Sequence, residues 1–139
     1  MSNQNRSASS DVKILLVDDS EAIRFALSRY LESHGYAVVA VDTAAAAIEA
    51  IDREAPIDFI LTDYLLPDAD GLTIAHAAQT CEPRPYIYLI TGWRLENDQL
   101  GDFDRVLPKP VVPRELLRYL AEDAAAGDSE IADANRIEE

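Results

Sequence analysis

Short apolar runs alternate with amphipathic stretches along residues 12–121, which predicts strands alternating with helices. Val12 to Val17 is almost continuously apolar, as in a strand that helices cover on both faces. From Ser20, apolar residues recur with the 3.6-residue period of a helix, which His34-Gly35 ends. The same alternation predicts four further strands, at residues 36–41, 57–62, 86–90 and 105–107.

The remaining helices are expected between Thr43 and Pro56, over residues 72–81, and from Pro113 until the pattern fades by Gly127. The segment 93–103 has mixed polarity, so we expect a short or irregular fourth helix there. Five strand-then-helix units predict one α/β domain, a doubly wound parallel sheet with helices on both faces. We place this domain at residues 11–121. It lies between a disordered tail, 1–10, and an acidic tail, 122–139, in which the last helix ends and disorder follows.

Composition narrows the class of protein. Of the 139 residues 48% are apolar, enough for one domain with its own core. The single cysteine, Cys81, excludes an internal disulfide and suits a reducing compartment. No apolar run reaches membrane-spanning length and the first ten residues are polar, so we expect a cytoplasmic protein without membrane association. The formal charge of −14 and the lack of a basic stripe argue against direct nucleic-acid binding.

Polar residues stand at four predicted strand ends. The first strand ends in Asp18-Asp19, the third in Asp63, the fourth in Thr91 and the fifth in Lys109. Because the carboxyl ends of parallel strands share one edge, we expect these side chains to converge. Crowded carboxylates repel unless a cation neutralises them, and an all-oxygen set with high charge suits Mg²⁺. A carboxylate beside such a cation can attack phosphorus, with Lys109 and a hydroxyl stabilising the phosphoryl charge.

Each of these residues also has an ordinary structural interpretation. Asp18 and Asp19 could cap the first helix, Asp63 could belong to a turn, and Lys109 could be a solvated loop lysine. Thr91-Gly92 could be a strand-ending turn. It is their joint placement at four strand ends that favours a common site.

The segments ILLVDDSEAIR, FILTDYLLPDADGL, YLITGW and VLPKP resemble the signature segments of response-regulator receiver domains. The resemblance runs from about Val12 to Leu120 and is strongest, in motif, to the receivers of hybrid histidine kinases. It implies a flavodoxin-like strand order of 2-1-3-4-5. It also implies an aspartyl-phosphate protein of two-component or phosphorelay signalling that catalyses its own phosphorylation and dephosphorylation and is otherwise not an enzyme.

The resemblance assigns a role to each site residue. Asp63 would be the phosphoacceptor and, with Asp19 and the Leu65 backbone carbonyl, would bind Mg²⁺ directly. Asp18 would act on the metal through water. Thr91 would be the switch hydroxyl and Lys109 the ion-pair partner of the phosphoryl group.

Further positions follow from the same resemblance. Gly92 would leave room for the phosphate, Pro67 and Gly71 would shape the turn after the acceptor strand, and the Lys109–Pro110 bond would be cis. Leu65 and Trp93 would flank the phosphoryl group, and their apolar bulk predicts slow hydrolysis. The alternative for Trp93 is packing elsewhere.

In the family, the first helix docks a histidine kinase or histidine phosphotransferase. Phe25 lies off the apolar stripe of this helix, so with Ala22 it is a candidate docking residue; a scattered surface aromatic is the alternative. Two departures concern signalling. Val106 stands where the family has an aromatic residue, and Lys109 follows Thr91 by 18 positions (109 − 91), fewer than is common.

The short interval removes part of the fourth helix, which forms much of the usual dimerisation face in the family, and with the acidic surface this predicts a monomer. We also expect a stand-alone regulator without an output domain. Two alternatives stay open. One is a receiver-like interaction module that works without phosphorylation. The other is a Mg²⁺-dependent phosphohydrolase, which needs an acid two residues after a nucleophile on the first strand; here Asp18 and Asp19 are adjacent.

Overall fold

The structure, a computed structural model, describes residues 12–92 and 101–137, with side chains through residue 126. All the strand pairs are parallel and form one sheet in the order β2-β1-β3-β4-β5, which confirms the predicted fold. The strands are β1 Lys13–Val17, β2 Ala37–Val41, β3 Phe59–Asp63, β4 Tyr86–Thr91 and β5 Arg105–Pro108. The helices of the described residues are α1 Glu21–Glu32, α2 Ala44–Arg53, α3 Gly71–Ala78 and α4 Pro113–Ile137.

The core has two layers, one on each face of the sheet. Successive residues of a strand point to opposite faces, so Ile14 and Leu16 belong to one layer and Leu15 and Val17 to the other. Helices α1 and α4 cover the first layer, and α2 and α3 cover the second. Burial on both faces explains why residues 14–17 of β1 and 59–61 of β3, all of them buried, are without exception apolar.

Polar side chains fix the starts of three helices. Ser20 caps α1 by accepting the Ile23 N–H, and Thr43 caps α2 by accepting the Ala46 N–H. Asp70 caps α3 by accepting the Thr73 N–H. Each cap satisfies an amide that has no partner within its helix, so these residues set where the chain leaves the strand-end loops.

The last helix differs from its prediction. We expect it to fade by Gly127, but α4 continues to Ile137. One glycine within a helix costs about 1 kcal/mol relative to alanine, and the alanine-rich stretch before it, residues 121–126, favours the helix. In the described part of the chain, no helix has both the length and the apolar character needed to cross a membrane. The expected N-terminal tail and most of the segment expected to hold a short or irregular fourth helix lie outside the described residues.

Candidate functional site

The sheet register brings the predicted site residues to one edge. Val17 lies opposite Thr62, Asp63 opposite Ile90, and Thr91 opposite Pro108, so the strands end side by side. The Lys109 N–H donates to the Thr91 carbonyl at 3.2 Å, which extends the β4–β5 ladder by one step. Asp63 and Thr91 are the last residues of β3 and β4, while Asp18 and Lys109 directly follow β1 and β5. All four therefore lie at the carboxyl ends of adjacent strands, beside the point between β1 and β3 where the strand order reverses.

Three carboxylates form a cluster at this edge. One oxygen from each of Asp18, Asp19 and Asp63 lies within 4.8 Å of the others. Asp18 and Asp63 are buried, whereas Asp19 is exposed. The cluster therefore has two carboxylates withdrawn from water and a third at its mouth, facing solvent.

Asp63 is only 2% exposed, and neither of its buried oxygens accepts a hydrogen bond. The Lys109 ammonium lies 3.1 Å from Oδ1 as an ion pair, without the angles of a hydrogen bond. Burial, followed by the negative charge of Asp18, raises the pKa of Asp63 to about 6, against the opposing effect of Lys109. A buried carboxylate without hydrogen bonds is a costly arrangement, which points to a ligand that this protein recruits.

Asp18 contributes both to the turn before the first helix and to the acidic cluster. Its Oδ1 accepts the Ser20 N–H at 2.8 Å, while its backbone carbonyl accepts a hydrogen bond from Arg24 at 2.8 Å. Asp18 therefore stabilises the turn into α1, although Ser20 is the residue that caps the helix. One carboxylate oxygen of Asp18 also lies within 4.8 Å of an Asp63 oxygen, and the negative charge of Asp18 raises the pKa of Asp63.

The residues present fit a divalent cation of the Mg²⁺ type. The donors are oxygens, two of the carboxylates are buried together, and both Asp63 oxygens are free of hydrogen bonds. A small hard cation would neutralise the repulsion and retain some of its waters. Asp18, Asp19 and Asp63 are the side chains that would hold it.

The loop after β3 is a tight turn. The Leu66 N–H donates to the Ala69 carbonyl at 3.0 Å, and Leu65 and Asp70 form an isolated antiparallel bridge. At its end, a Cβ on Gly71 would lie 2.9 Å from the Asp63 carbonyl oxygen. A side chain does not fit there, so Gly71 lets the start of α3 approach the end of β3.

The smaller predictions have mixed outcomes. The Lys109–Pro110 bond is cis, as expected. A Cβ on Gly92 would meet Lys109 Cβ at 4.0 Å and nothing closer, so the protein itself does not demand glycine there. The Leu65 side chain is 53% exposed beside the site. Trp93 lies outside the described residues, and its placement near the phosphoryl group stays a prediction.

The face of α1 presents more apolar surface than its sequence pattern predicts. Phe25 is 64% exposed and lies under the Arg29 guanidinium at 5.4 Å, and Ala22 is exposed too. Ile23, part of the predicted apolar stripe, is also exposed. Ile23 lines a groove of 610 Å³ that α1 forms with the chain from Lys109 to Pro113, beside the acidic cluster. The helical period could not show this groove, because its other wall comes from the far end of the sequence.

A doubly wound parallel sheet in the order 2-1-3-4-5, with an acidic cluster at its carboxyl edge and a lysine paired to the buried carboxylate, defines the flavodoxin-like class of α/β domain. Residues 14–121 match the family described as the response regulator receiver domain. The chain belongs to this family and is a receiver domain of two-component signalling.

Known relatives agree with this assignment. The chain is 36% identical over 112 residues to the response regulator receiver protein CpdR of Brucella abortus, across 78% of this chain and 92% of that protein. It is 32% identical over 115 residues to the sensor protein TorS of Escherichia coli, across 78% of this chain but 12% of the sensor. Among solved structures, a CheY-like receiver domain from Methanospirillum hungatei has a TM-score of 0.78 at 29% identity, covering 86% of this chain and 98% of that one.

Proposed function

We propose that this chain is a stand-alone phosphorelay regulator, which accepts a phosphoryl group from a histidine kinase or histidine phosphotransferase onto Asp63 in a Mg²⁺-dependent reaction. The buried Asp63 carboxylate carries the proposal, because neither oxygen has a hydrogen bond while Asp18, Asp19 and Lys109 surround it. A nucleophile needs a free lone pair, and the surrounding groups suit a cation and a phosphoryl dianion.

In the proposed reaction an Asp63 oxygen attacks the phosphorus of a phosphohistidine. A P–O bond to Asp63 forms as the P–N bond breaks, and the imidazole, which carries a proton on its other ring nitrogen, leaves as the neutral group. Bound Mg²⁺ supplies positive charge to the phosphoryl oxygens. The Lys109 ammonium, already 3.1 Å from Oδ1, adds a second positive charge on the other side.

The remaining residues act after transfer. Thr91, buried beside the strand end, supplies the switch hydroxyl, and Gly92 leaves the space that the phosphoryl group fills. Leu65, exposed beside the site, would shield the aspartyl phosphate from water and slow its hydrolysis, and the same role for Trp93 stays a prediction. The switch lacks its aromatic component, since the half-exposed residue on β5 is Val106. Phosphorylation then acts through the loops that follow β4 and β5.

The groove beside the site is the proposed docking surface for the phosphodonor. Ile23, Leu27 and Tyr30 form one wall, and Pro110 and Val111 form the other. Phe25 and Ala22 extend this surface along α1. The match over 92% of CpdR, a receiver protein, supports the stand-alone form of the proposal. A cytoplasmic location and a monomeric state are further parts of the proposal.

Incubation with acetyl phosphate and Mg²⁺, followed by intact-mass measurement, tests the proposal. We expect a mass gain of one phosphoryl group that requires Mg²⁺ and is lost in Asp63→Asn. Release of phosphate without accumulation of the modified protein would favour the hydrolase. A folded protein that gains no mass, with acetyl phosphate or with phosphorylated histidine phosphotransferase, would favour the interaction module.

A further inference from the structure

Asp68 joins two parts of the molecule that are distant in sequence. It is exposed at the tip of the turn after the acceptor strand, yet both of its oxygens are engaged by another element. Oδ1 accepts the Ala44 N–H at 2.8 Å and Oδ2 accepts the Ala45 N–H at 2.9 Å. These are the first two amides of α2, so the turn is attached to the amino terminus of that helix.

Helix α2 does not satisfy these amides by itself. Its own cap, Thr43, accepts the Ala46 N–H, and its first turn contains no acidic residue. Asp68 therefore supplies the negative charge that a helix amino terminus favours, from 24 residues further along the chain. The backbone hydrogen bonds from Ala44 and Ala45 lower the pKa of Asp68, because they stabilise its ionised form.

The attachment point is well placed to control the metal site. The turn is stiffened by the Leu66–Ala69 hydrogen bond and the Leu65–Asp70 bridge, and Asp70 fixes its far end by capping α3. Because the turn is attached to α2 at Asp68 and to α3 at Asp70, its backbone has little freedom to move. Leu65, whose carbonyl is the expected backbone ligand, lies in that part.

We propose that Asp68 is a positioning residue for the cation: by tying the turn to the amino terminus of α2, it holds the Leu65 carbonyl in place for the ion at Asp18, Asp19 and Asp63. This inference rests on the proposed function, because it requires that the cluster binds Mg²⁺. Asp68 itself stays outside the metal site and acts through the backbone of the turn.

Mg²⁺ titration of the whole protein by calorimetry, without phosphodonor, tests the inference. Loss of a residue that orients a metal ligand typically weakens metal affinity 10- to 100-fold, and we expect Asp68→Ala to raise the Kd roughly tenfold. Asp68→Asn, which keeps one acceptor oxygen, should fall between Asp68→Ala and the wild type.

Two control variants separate positioning from other effects. Thr43→Ala removes the other cap of the same helix without touching the turn, and Asp42→Asn removes one exposed negative charge nearby. Both should change the Kd by no more than about twofold, as surface substitutions usually do. In the metal-free protein, amide exchange at Ala44 and Ala45 should accelerate in Asp68→Ala, which reports the lost attachment directly.

The outcomes are distinguishable. A wild-type Kd in Asp68→Ala overturns the inference and leaves the proposed function intact. An equal loss in Thr43→Ala or Asp42→Asn also overturns it, in favour of helix stability or overall charge. A wild-type protein that binds no Mg²⁺ overturns the proposed function, and this inference with it.

Discussion

The Lys109 ammonium nitrogen lies 3.1 Å from Oδ1 of Asp63, although Asp63 ends β3 and Lys109 follows β5, two strands that are not neighbours in the sheet. Lys109 reaches Asp63 because its backbone N–H is held by the Thr91 carbonyl at the end of β4, the strand between them. Its side chain remains 43% exposed, whereas that of Asp63 is 3% exposed. The ammonium can therefore move with an incoming phosphoryl group while the carboxylate stays fixed.

Lys109→Ala should slow phosphorylation of Asp63. Removing one group that stabilises developing oxyanion charge typically lowers the rate by a factor of roughly 100. The rate of mass gain with acetyl phosphate and Mg²⁺ measures the effect. Lys13→Ala is the matched control, because Lys13 begins β1 and pairs with Glu54, at the other end of the strands from the site. The rate of this variant should equal that of the wild type. Equal rates in the two variants would contradict a role for Lys109.

The stability of the metal-free protein should depend on pH through Asp63. Its pKa is about 6 in the fold and about 3.9 in an unfolded chain, so the folded state holds the proton more tightly. The free energy of unfolding should therefore fall as pH rises from about 4 to 6, by about 2–3 kcal/mol for this group. Urea unfolding in EDTA, compared with Asp63→Asn, isolates the effect, because the variant lacks this titration.

Asp18 sets part of that pH dependence. Asp18→Asn keeps an oxygen that can accept the Ser20 N–H while removing the charge that raises the pKa of Asp63. We expect the fall in stability to move to lower pH and to become smaller. An unchanged pH profile would show that burial alone accounts for the raised pKa of Asp63.

Gly71→Ala should destabilise the protein. The added Cβ would lie 2.9 Å from the Asp63 carbonyl and 3.1 Å from Leu89 Cδ1, so α3 must move away from β3. Overpacking of this kind typically costs about 1–3 kcal/mol, which urea unfolding would measure. Gly101→Ala is the control, since its Cβ would meet no atom within 4 Å, and its stability should match the wild type.

A partly buried polar network should hold α4 to the sheet. The Tyr88 hydroxyl donates to Asp123, and Arg105 donates to both Asp123 oxygens, at 2.8 and 3.0 Å. Arg105 also stacks over Tyr119 at 4.4 Å. Although burial opposes it, the hydrogen bonds from Arg105 and Tyr88 lower the pKa of Asp123. The network therefore stabilises the fold with Asp123 ionised.

Tyr88→Phe should cost about 1–3 kcal/mol of unfolding free energy, because Asp123 loses a buried donor. In Tyr88→Phe/Asp123→Asn the loss should be smaller than the sum of the single losses, as in a shared network. Tyr119→Phe keeps the ring over which Arg105 stacks and should change stability by less than about 0.5 kcal/mol. Additive losses would contradict the network.

Docking of the phosphodonor should depend on the groove between α1 and the Lys109–Pro113 segment. Ile23→Ser should lower the rate of transfer from a phosphorylated histidine phosphotransferase roughly tenfold, as loss of an interface anchor does. Phosphorylation by acetyl phosphate should be unchanged, because that donor needs no docking surface. Phe25→Ala should also lower the rate of transfer from the phosphotransferase if the outer face of α1 takes part in docking. Val106→Ala is the control, because Val106 is exposed on β5 and does not line the groove, and its rate should equal that of the wild type.

Much of the molecule could be predicted from local sequence. The apolar runs of β1 and β3 and the helix start at Ser20 carry their information within a few residues, since burial on both faces and capping are local requirements. The motifs around Asp63 and Lys109 identified the family for the same reason. Within the described residues, the main error was the end of α4, where Gly127 suggested a stop that its neighbours override.

The sequence by itself determined the strands, the order of polar residues at their ends, and through these the family. The tertiary structure alone decided that the Asp63 oxygens accept no hydrogen bond, that Ile23 lines an exposed groove, and that Asp68 is attached to α2. The physical reason is that burial, ion pairing and capping between segments depend on distances through space. Residues 24 or more positions apart have no periodic relation that would reveal such contacts.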